Sequence, residues 1–168
     1  MDATSSAVTV LSLCEGTGEE PQKRRGRRRG KRLVKNGYQE FVLTGIHLSS
    51  YGVDCGDSLL ELILAVHEIE GVKRIRLGSL EPRIITEEFV KTISSLSKIC
   101  PHFHLSLQSG CDATLKRMNR RILCTGISGR LCTSAEIFEH PALTTVCDRG
   151  IPQESEEEFE ASRAMIEA

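Results

Sequence analysis

No apolar run in the 168 residues approaches the roughly 20 that a membrane helix needs, so the sequence offers no helical span. The opening stretch "MDATSSAVTVLSLCEGTGEE" has a short apolar patch but no basic residue ahead of it. It matches a secretory signal poorly, and a cytoplasmic location with no membrane partner is expected. Paired cysteines are lacking too. Cys14, Cys55, Cys100, Cys111, Cys124, Cys132 and Cys147 include no C-x-x-C and no compact metal-ligand spacing. Their odd number argues against a disulfide framework, and free thiols are expected. Finally, no usable periodicity precedes Lys31. That stretch contains "EEPQKRRGRRRGKR", Glu19 to Arg32, with eight Lys and Arg in a chain of net charge −1. No aromatic residue interrupts the run, so base stacking is not indicated. Clustered cations neutralise phosphates, so one reading is a basic arm on RNA. Residues 1–32 are expected to be a disordered basic arm.

What is present reads as globular. The chain is 39% hydrophobic and 27% charged, enough for one domain with a core. From Tyr38 to Ile46, "YQEFVLTGI" reads as a buried strand. "SLLELILAVHEIEG" follows as a helix, with Ser58 and Glu61 as a capping box and Gly71 at the stop. "VKRIRLGSL" is a second strand. "TEEFVKTISSLSK" is a second helix, capped by Thr86. A third strand ends at Gln108, and a third helix starts at Asp112. Strand starts lie about 30 residues apart, one βαβ unit each. An α/β sheet or barrel with parallel strands and crossover helices is expected. From Ile122 to Gln153 the pattern dissolves. The tail "ESEEEFEASRAMIEA" is helical again, with Ser155 and Glu158 as its capping box.

In such folds the ligand site lies at the C-terminal ends of the strands. Those ends read "TGIHLSS", "GSLEPR" and "LQSGCD", all polar and glycine-bearing. Ser79 and Glu81 can bond a ligand or cap the following loop. Gln108 can both donate and accept. His102 and His104 share one strand face, but no third metal ligand accompanies them. His67 is expected at the surface or edge of its helix. Lys116, Arg117, Arg120 and Arg121 can approach phosphate, although a solvated helix face is the commoner meaning.

The segment from Leu33 to Arg121 resembles the radical S-adenosylmethionine tRNA methylthiotransferases, nearest the branch acting on threonylcarbamoyladenosine beside the anticodon. "FVLTGIHLSSYG", "RIRLGSLEP" and "HFHLSLQSGCDATLKRMNR" carry the resemblance. "IFEHPALTT" and "ESEEEFEASRAMIEA" fit the next strand-and-helix unit. The resemblance implies an incomplete radical-SAM-type partial (βα) barrel over residues 33–168. It implies S-adenosylmethionine and 4Fe–4S clusters as family cofactors, tRNA as substrate and a monomer. It makes Gly45, His47, Ser79, Glu81, Gln108 and Ser109 the cofactor-binding candidates. The turn at Gly45, Ile46 and His47 would face the methionine part of the cofactor.

The sequence also departs from that family. CxxxCxxC is absent where it belongs, just upstream of Lys31, and Cys14 stands alone there. The expected G-F-P-G-E strand end is replaced by "RGIPQE". The family's flanking domains, with a second cluster and an RNA-binding module, have no counterpart. A reading-frame slip unites the departures. Leu13 to Gln22 can be encoded so that reading one base forward gives Y-A-R-G-P-V-R-S-R. Gly126 to Ala135 can likewise give E-Y-R-E-G-C-A-L-L-R, and Val146 to Pro152 can give V-I-V-G-F-P. Residues 1–32, 122–135 and 146–153 are therefore expected to be out of frame. The chain is expected to be an inactive fragment of such an enzyme. The alternative is a non-enzymatic remnant or an RNA-binding adaptor using the basic arm.

Overall fold

The computed structural model describes residues 8–12, 22–45, 48–52, 56–120, 137–138 and 141–167. Three parallel strands, β1 (Val8–Ser12), β2 (Glu40–Thr44) and β3 (Arg74–Leu77), pair in that order. A second parallel pair joins β4 (His102–Gln108) to β5 (Ala142–Cys147). Two bridges, Ile75 to Ile99 and Leu80 to Leu105, connect the groups. The Leu80 N–H donates to the His104 carbonyl at 2.8 Å, and the Ser106 N–H donates to the Leu80 carbonyl at 3.1 Å. Five strands thus run parallel in chain order, without closing a barrel. The helices are α1 (Gln22–Lys35), α2 (Leu59–His67), α3 (Glu87–Ser94), α4 (Asp112–Arg117) and α5 (Glu156–Glu167). Along the chain α1, α2 and α3 fall between successive strands, as crossover helices do.

Period-two alternation divides the sheet into two faces. Phe41 and Leu43, Ile75 and Leu77, and Phe103 and Leu105 are buried. Leu62, Ile63 and Val66 of α2 join them in one core with Phe89, Val90 and Ile93 of α3. Each such side chain contributes about 1.5–3 kcal/mol of transfer free energy. The other face carries Glu40, Arg74, Arg76, His102, His104, Ser106 and Gln108. All-parallel sheets ordinarily have both faces covered. Here the described helices cover the apolar one.

The expected caps form. Ser58 and Glu61 bond reciprocally at 3.2 Å in both directions. Thr86 Oγ1 accepts from the Phe89 N–H at 3.1 Å. Ser155 and Glu158 make the same reciprocal pair at the head of α5.

The expectation of disorder up to residue 32 differs from the structure, which forms α1 from Gln22 to Lys35. Arg and Lys are good helix formers. The two glycines in the run are one turn apart and buried against α2. A Cβ on Gly26 would lie 2.5 Å from Leu62 Cδ1, and one on Gly30 would lie 2.7 Å from Ile69 Cδ1. Only glycine lets the helices approach so closely. The Lys23 N–H donates to Asp57 at 3.0 Å, and its ammonium pairs with Glu61 at 3.1 Å. A Schellman stop ends the helix: Gly37, at φ 90°, donates to the Val34 carbonyl and Tyr38 to the Leu33 carbonyl. Strand β1 also lies where no order was expected. Residues 121–136, which hold the second stretch expected to be out of frame, lie outside the described residues.

Candidate functional site at the strand ends

The C-terminal ends of β2, β3, β4 and β5 form one polar rim. At the end of β2, Gly45 is half-buried; His47 lies outside the described residues. Gly78 closes the gap to β3. Its N–H donates to the Leu43 carbonyl at 2.8 Å, and a Cβ there would meet Thr44 Oγ1 at 3.0 Å. Beyond it Ser79 is exposed. Glu81 is half-buried and pairs with the Arg83 guanidinium at 2.6 Å.

The end of β4 is the most constrained part of the rim. Gln108 has φ 73°, a left-handed conformation costly for a side chain of its size. Its carbonyl accepts from the Asp148 N–H at 2.8 Å, tying β4 to the end of β5. Ser109 is fully buried. Its hydroxyl shares a hydrogen bond with that of Ser162 at 3.1 Å and accepts from the Cys111 N–H at 3.1 Å. The Gly110 N–H donates to Ser162 Oγ at 2.9 Å, and a Cβ on Gly110 would lie 2.7 Å from the Ser162 Cα. Ser109 and Gly110 therefore dock α5, and the Ser109 hydroxyl is spent on that contact. The structure brings Gly45, Ser79, Glu81 and Gln108 to the strand ends and commits Ser109 to the helix beneath.

Arg117 of α4 reaches Glu158 of α5, with Nη1 donating to Oε1 at 2.9 Å. A bidentate pair of this kind is strong and directional. The Arg117 guanidinium and the Ser155 N–H hold the Glu158 carboxyl far below the ordinary range, at about 2. Arg117 thus serves a helix contact. Lys116 and Arg120 are exposed, and Arg121 lies outside the described residues.

On the open sheet face Glu40 pairs with Arg76 at 2.8 Å and Arg74 at 3.5 Å. Glu40 raises the Arg76 guanidinium above its ordinary value by hydrogen bonding, helped by the nearby Cys100. His104 Nδ1 and His102 Nε2 flank the Thr144 hydroxyl at 3.0 and 3.4 Å. Together with the strand-end residues they give this face a hydrogen-bonding lining. His67 ends α2 half-buried, and its Nε2 is covered without a hydrogen-bond partner among the described residues. Sequence reasoning missed Ser162, the Glu40–Arg76 pair and the Arg117–Glu158 link. Strand alternation was an advance signal for Glu40 and Arg76 alone; the helix contacts had none, because the partners lie 36 to 53 residues apart.

The described residues do not fit an iron–sulfur cluster. Cys100, Cys111 and Cys147 are free thiols. Among the described residues no three His, Cys, Asp or Glu side chains converge as metal ligands. Burial, aided by Asp148, pushes the Cys147 thiol up, away from the thiolate that a metal needs.

No protein-family profile matches the chain. Individual relatives do. It is 34% identical over 135 residues to the Thermotoga maritima threonylcarbamoyladenosine tRNA methylthiotransferase MtaB, covering 80% of this chain and 31% of that protein. The Aquifex aeolicus MtaB is 39% identical over 136 residues, covering 81% and 33%. The Clostridium tetani tRNA-2-methylthio-N(6)-dimethylallyladenosine synthase is 36% identical over 138 residues, covering 81% and 30%. The chain belongs to the tRNA methylthiotransferase family. It spans about a third of the length of the curated relatives it matches. Among solved structures it is similar to an Elp3 from Methanocaldococcus infernus, with a TM-score of 0.56 and 16% identity. That likeness covers 96% of this chain and 42% of the other. It shows the fold alone: an open α/β arrangement of parallel strands. Among the described residues no helix is long and apolar enough to cross a membrane.

Proposed function

We propose that this chain is a piece of a radical S-adenosylmethionine methylthiotransferase acting on threonylcarbamoyladenosine in tRNA, and that it is inactive as it stands. The observation that carries this reading is the match to methylthiotransferases over about four fifths of the chain, combined with the absence of CxxxCxxC. Two of the three relatives described act, by name, on threonylcarbamoyladenosine, which supports that branch. Gly45, Ser79, Glu81 and Gln108 are the residues available to hold S-adenosylmethionine at the strand ends, with His47 two positions after Gly45 in the sequence. When bound with its cluster, that cofactor supplies the radical that opens a C–H bond. This chain contributes a polar rim, its sequence lacks CxxxCxxC, and its described residues offer no converging set of cluster ligands. No reaction step is assigned to it.

In this reading residues 1–32, 122–135 and 146–153 come from compensating frame slips in the gene; α1 runs across the 32/33 boundary, which marks a change of frame and not a domain edge. Two measurements test the proposal. The genomic DNA is resequenced through and beyond the coding region. Recovery of one frame with CxxxCxxC upstream and V-I-V-G-F-P downstream is expected; codons incompatible with the shifted frames would sink the slip. The chain as given is then supplied anaerobically with iron, sulfide and S-adenosylmethionine. Neither cluster absorbance nor 5′-deoxyadenosine is expected. Reductive cleavage of the cofactor by this chain would overturn its assignment as inactive.

A second reading, a non-enzymatic remnant, draws on β5. Leu143 is 37% exposed and Val146 is 45% exposed. An apolar edge strand of this kind favours self-association. A cooperative, monomeric melt counts against it.

A further inference from the structure

Helix α1 concentrates the positive charge of the chain. It carries nine of the 22 Lys and Arg and no acid, leaving 13 bases against 23 acids elsewhere. One side of the helix is fixed by Gly26 and Gly30 against α2. Arg24, Arg27, Arg28, Lys31, Arg32 and Lys35 recur at three- and four-residue spacing and so share one face. Together they line a groove of about 590 Å³. Each of these six residues is exposed.

This arrangement opposes itself. Arg24 and Arg28, Arg27 and Lys31, and Lys31 and Lys35 are like charges one turn apart. At the first turn Asp57 and Glu61 already answer the Lys23 N–H and ammonium, so the repulsion concerns the exposed face. A partner with closely spaced negative charges eases it. From Arg24 to Lys35 the helix is about 17 Å long at 1.5 Å per residue. That is enough to follow about five phosphates at the axial spacing of one strand. The groove holds no aromatic side chain, so it offers no stacking platform for bases, and its lining is suited to phosphate charge.

We propose that this face of α1 docks the phosphate backbone of a nucleic-acid strand by charge, without sequence preference. The surface belongs to the helix layer. The proposal stands apart from the strand-end reading and needs neither cluster nor cofactor.

The test uses the full chain and short labelled single-stranded RNAs of two unrelated sequences, with binding read by fluorescence anisotropy across a salt series. Equal affinities are expected for the two RNAs, with a linear fall of log K against log salt. The combined variant Arg24→Gln, Arg27→Gln, Lys31→Gln, Lys35→Gln should bind at least about tenfold more weakly, with a slope smaller by about 0.7 for each cation removed. Its helical circular dichroism should hold or rise, since repulsion is removed. The charge-keeping variant Arg24→Lys, Arg27→Lys, Arg32→Lys should stay within about threefold of the native chain, because backbone docking reads charge. It also keeps the test decisive if the Gln variant fails to fold. No RNA binding at low salt, a flat salt series, or undiminished binding by a folded Gln variant would each overturn the proposal. So would tight binding to phosphatidylserine vesicles that RNA does not displace.

Discussion

Replacing Gly26 by alanine tests whether α1 is part of the fold. At a solvent-facing helix position the change stabilises by about 1 kcal/mol, because alanine restricts the unfolded chain and favours the helix. At Gly26 the added methyl would lie 2.5 Å from Leu62 Cδ1, and Leu62 is fully buried. A close-packed interior gives little at such a contact, and overpacking costs about 1–3 kcal/mol. The net expectation is a loss of between zero and about 2 kcal/mol. For a chain of this size each kcal/mol lowers Tm by roughly 2–4 °C. The same sign is expected for Gly30→Ala against Ile69. Thermal and urea melts followed by circular dichroism give the values. A double-mutant cycle sharpens them: with Leu62→Ala in place the nearest remaining side-chain atom is the Tyr51 hydroxyl at 4.0 Å, an ordinary contact, so Gly26→Ala should cease to destabilise. The coupling energy should be about 0.5–3 kcal/mol. If both glycine variants raise Tm and no coupling to Leu62 appears, α1 is not docked on α2 and the packing argument fails.

Two further outcomes are expected. The folded Glu158 carboxyl, at about 2, lies below its unfolded value of about 4.3, so its contribution is full above the unfolded value and is lost as pH falls toward 2. Tm should therefore drop across that acid window, and Glu158→Gln should flatten the drop; coincident profiles would remove the Arg117 link. Gln108→Gly relieves a positive φ, so it should leave stability unchanged or raise it by about 1 kcal/mol while weakening S-adenosylmethionine binding in equilibrium dialysis. A glycine variant that binds the cofactor like the native chain takes Gln108 out of the site.

The strands and helices from Tyr38 to Arg117, and the tail helix, were legible because their chemistry is local. Ser58 with Glu61, Thr86, and Ser155 with Glu158 announce helix starts within four residues, and each cap forms as written. The alternation in "HFHLSLQ" gives both the β4 strand and its two faces. Helix α1 was missed because its buried face is written in glycines. Gly26 and Gly30 carry no apolar side chain, so the run shows charge without an apolar stripe. Its stop was on the page in "KNGY", where Gly37 takes the left-handed position that ends a helix. The strand-end candidates were legible from fold logic, but the fate of Ser109 was not. Its partner Ser162 stands 53 positions away, and nothing in either neighbourhood specifies the pairing.

The open face of the sheet shows what this chain can and cannot do alone. Glu40, Arg74 and Arg76 form an ion-pair cluster there, and His102, His104 and Thr144 form a hydrogen-bonded one. Parallel strands with crossover helices on one side ordinarily receive a second layer or a closed barrel on the other. In β5 every residue from Ala142 to Val146 is exposed, so the last described strand presents side chains that a further element would cover. In the proposed reading, the polar rim at Gly45, Ser79, Glu81 and Gln108 borders this open face, and any ligand held at the strand ends would meet the hydrogen-bonding groups of both.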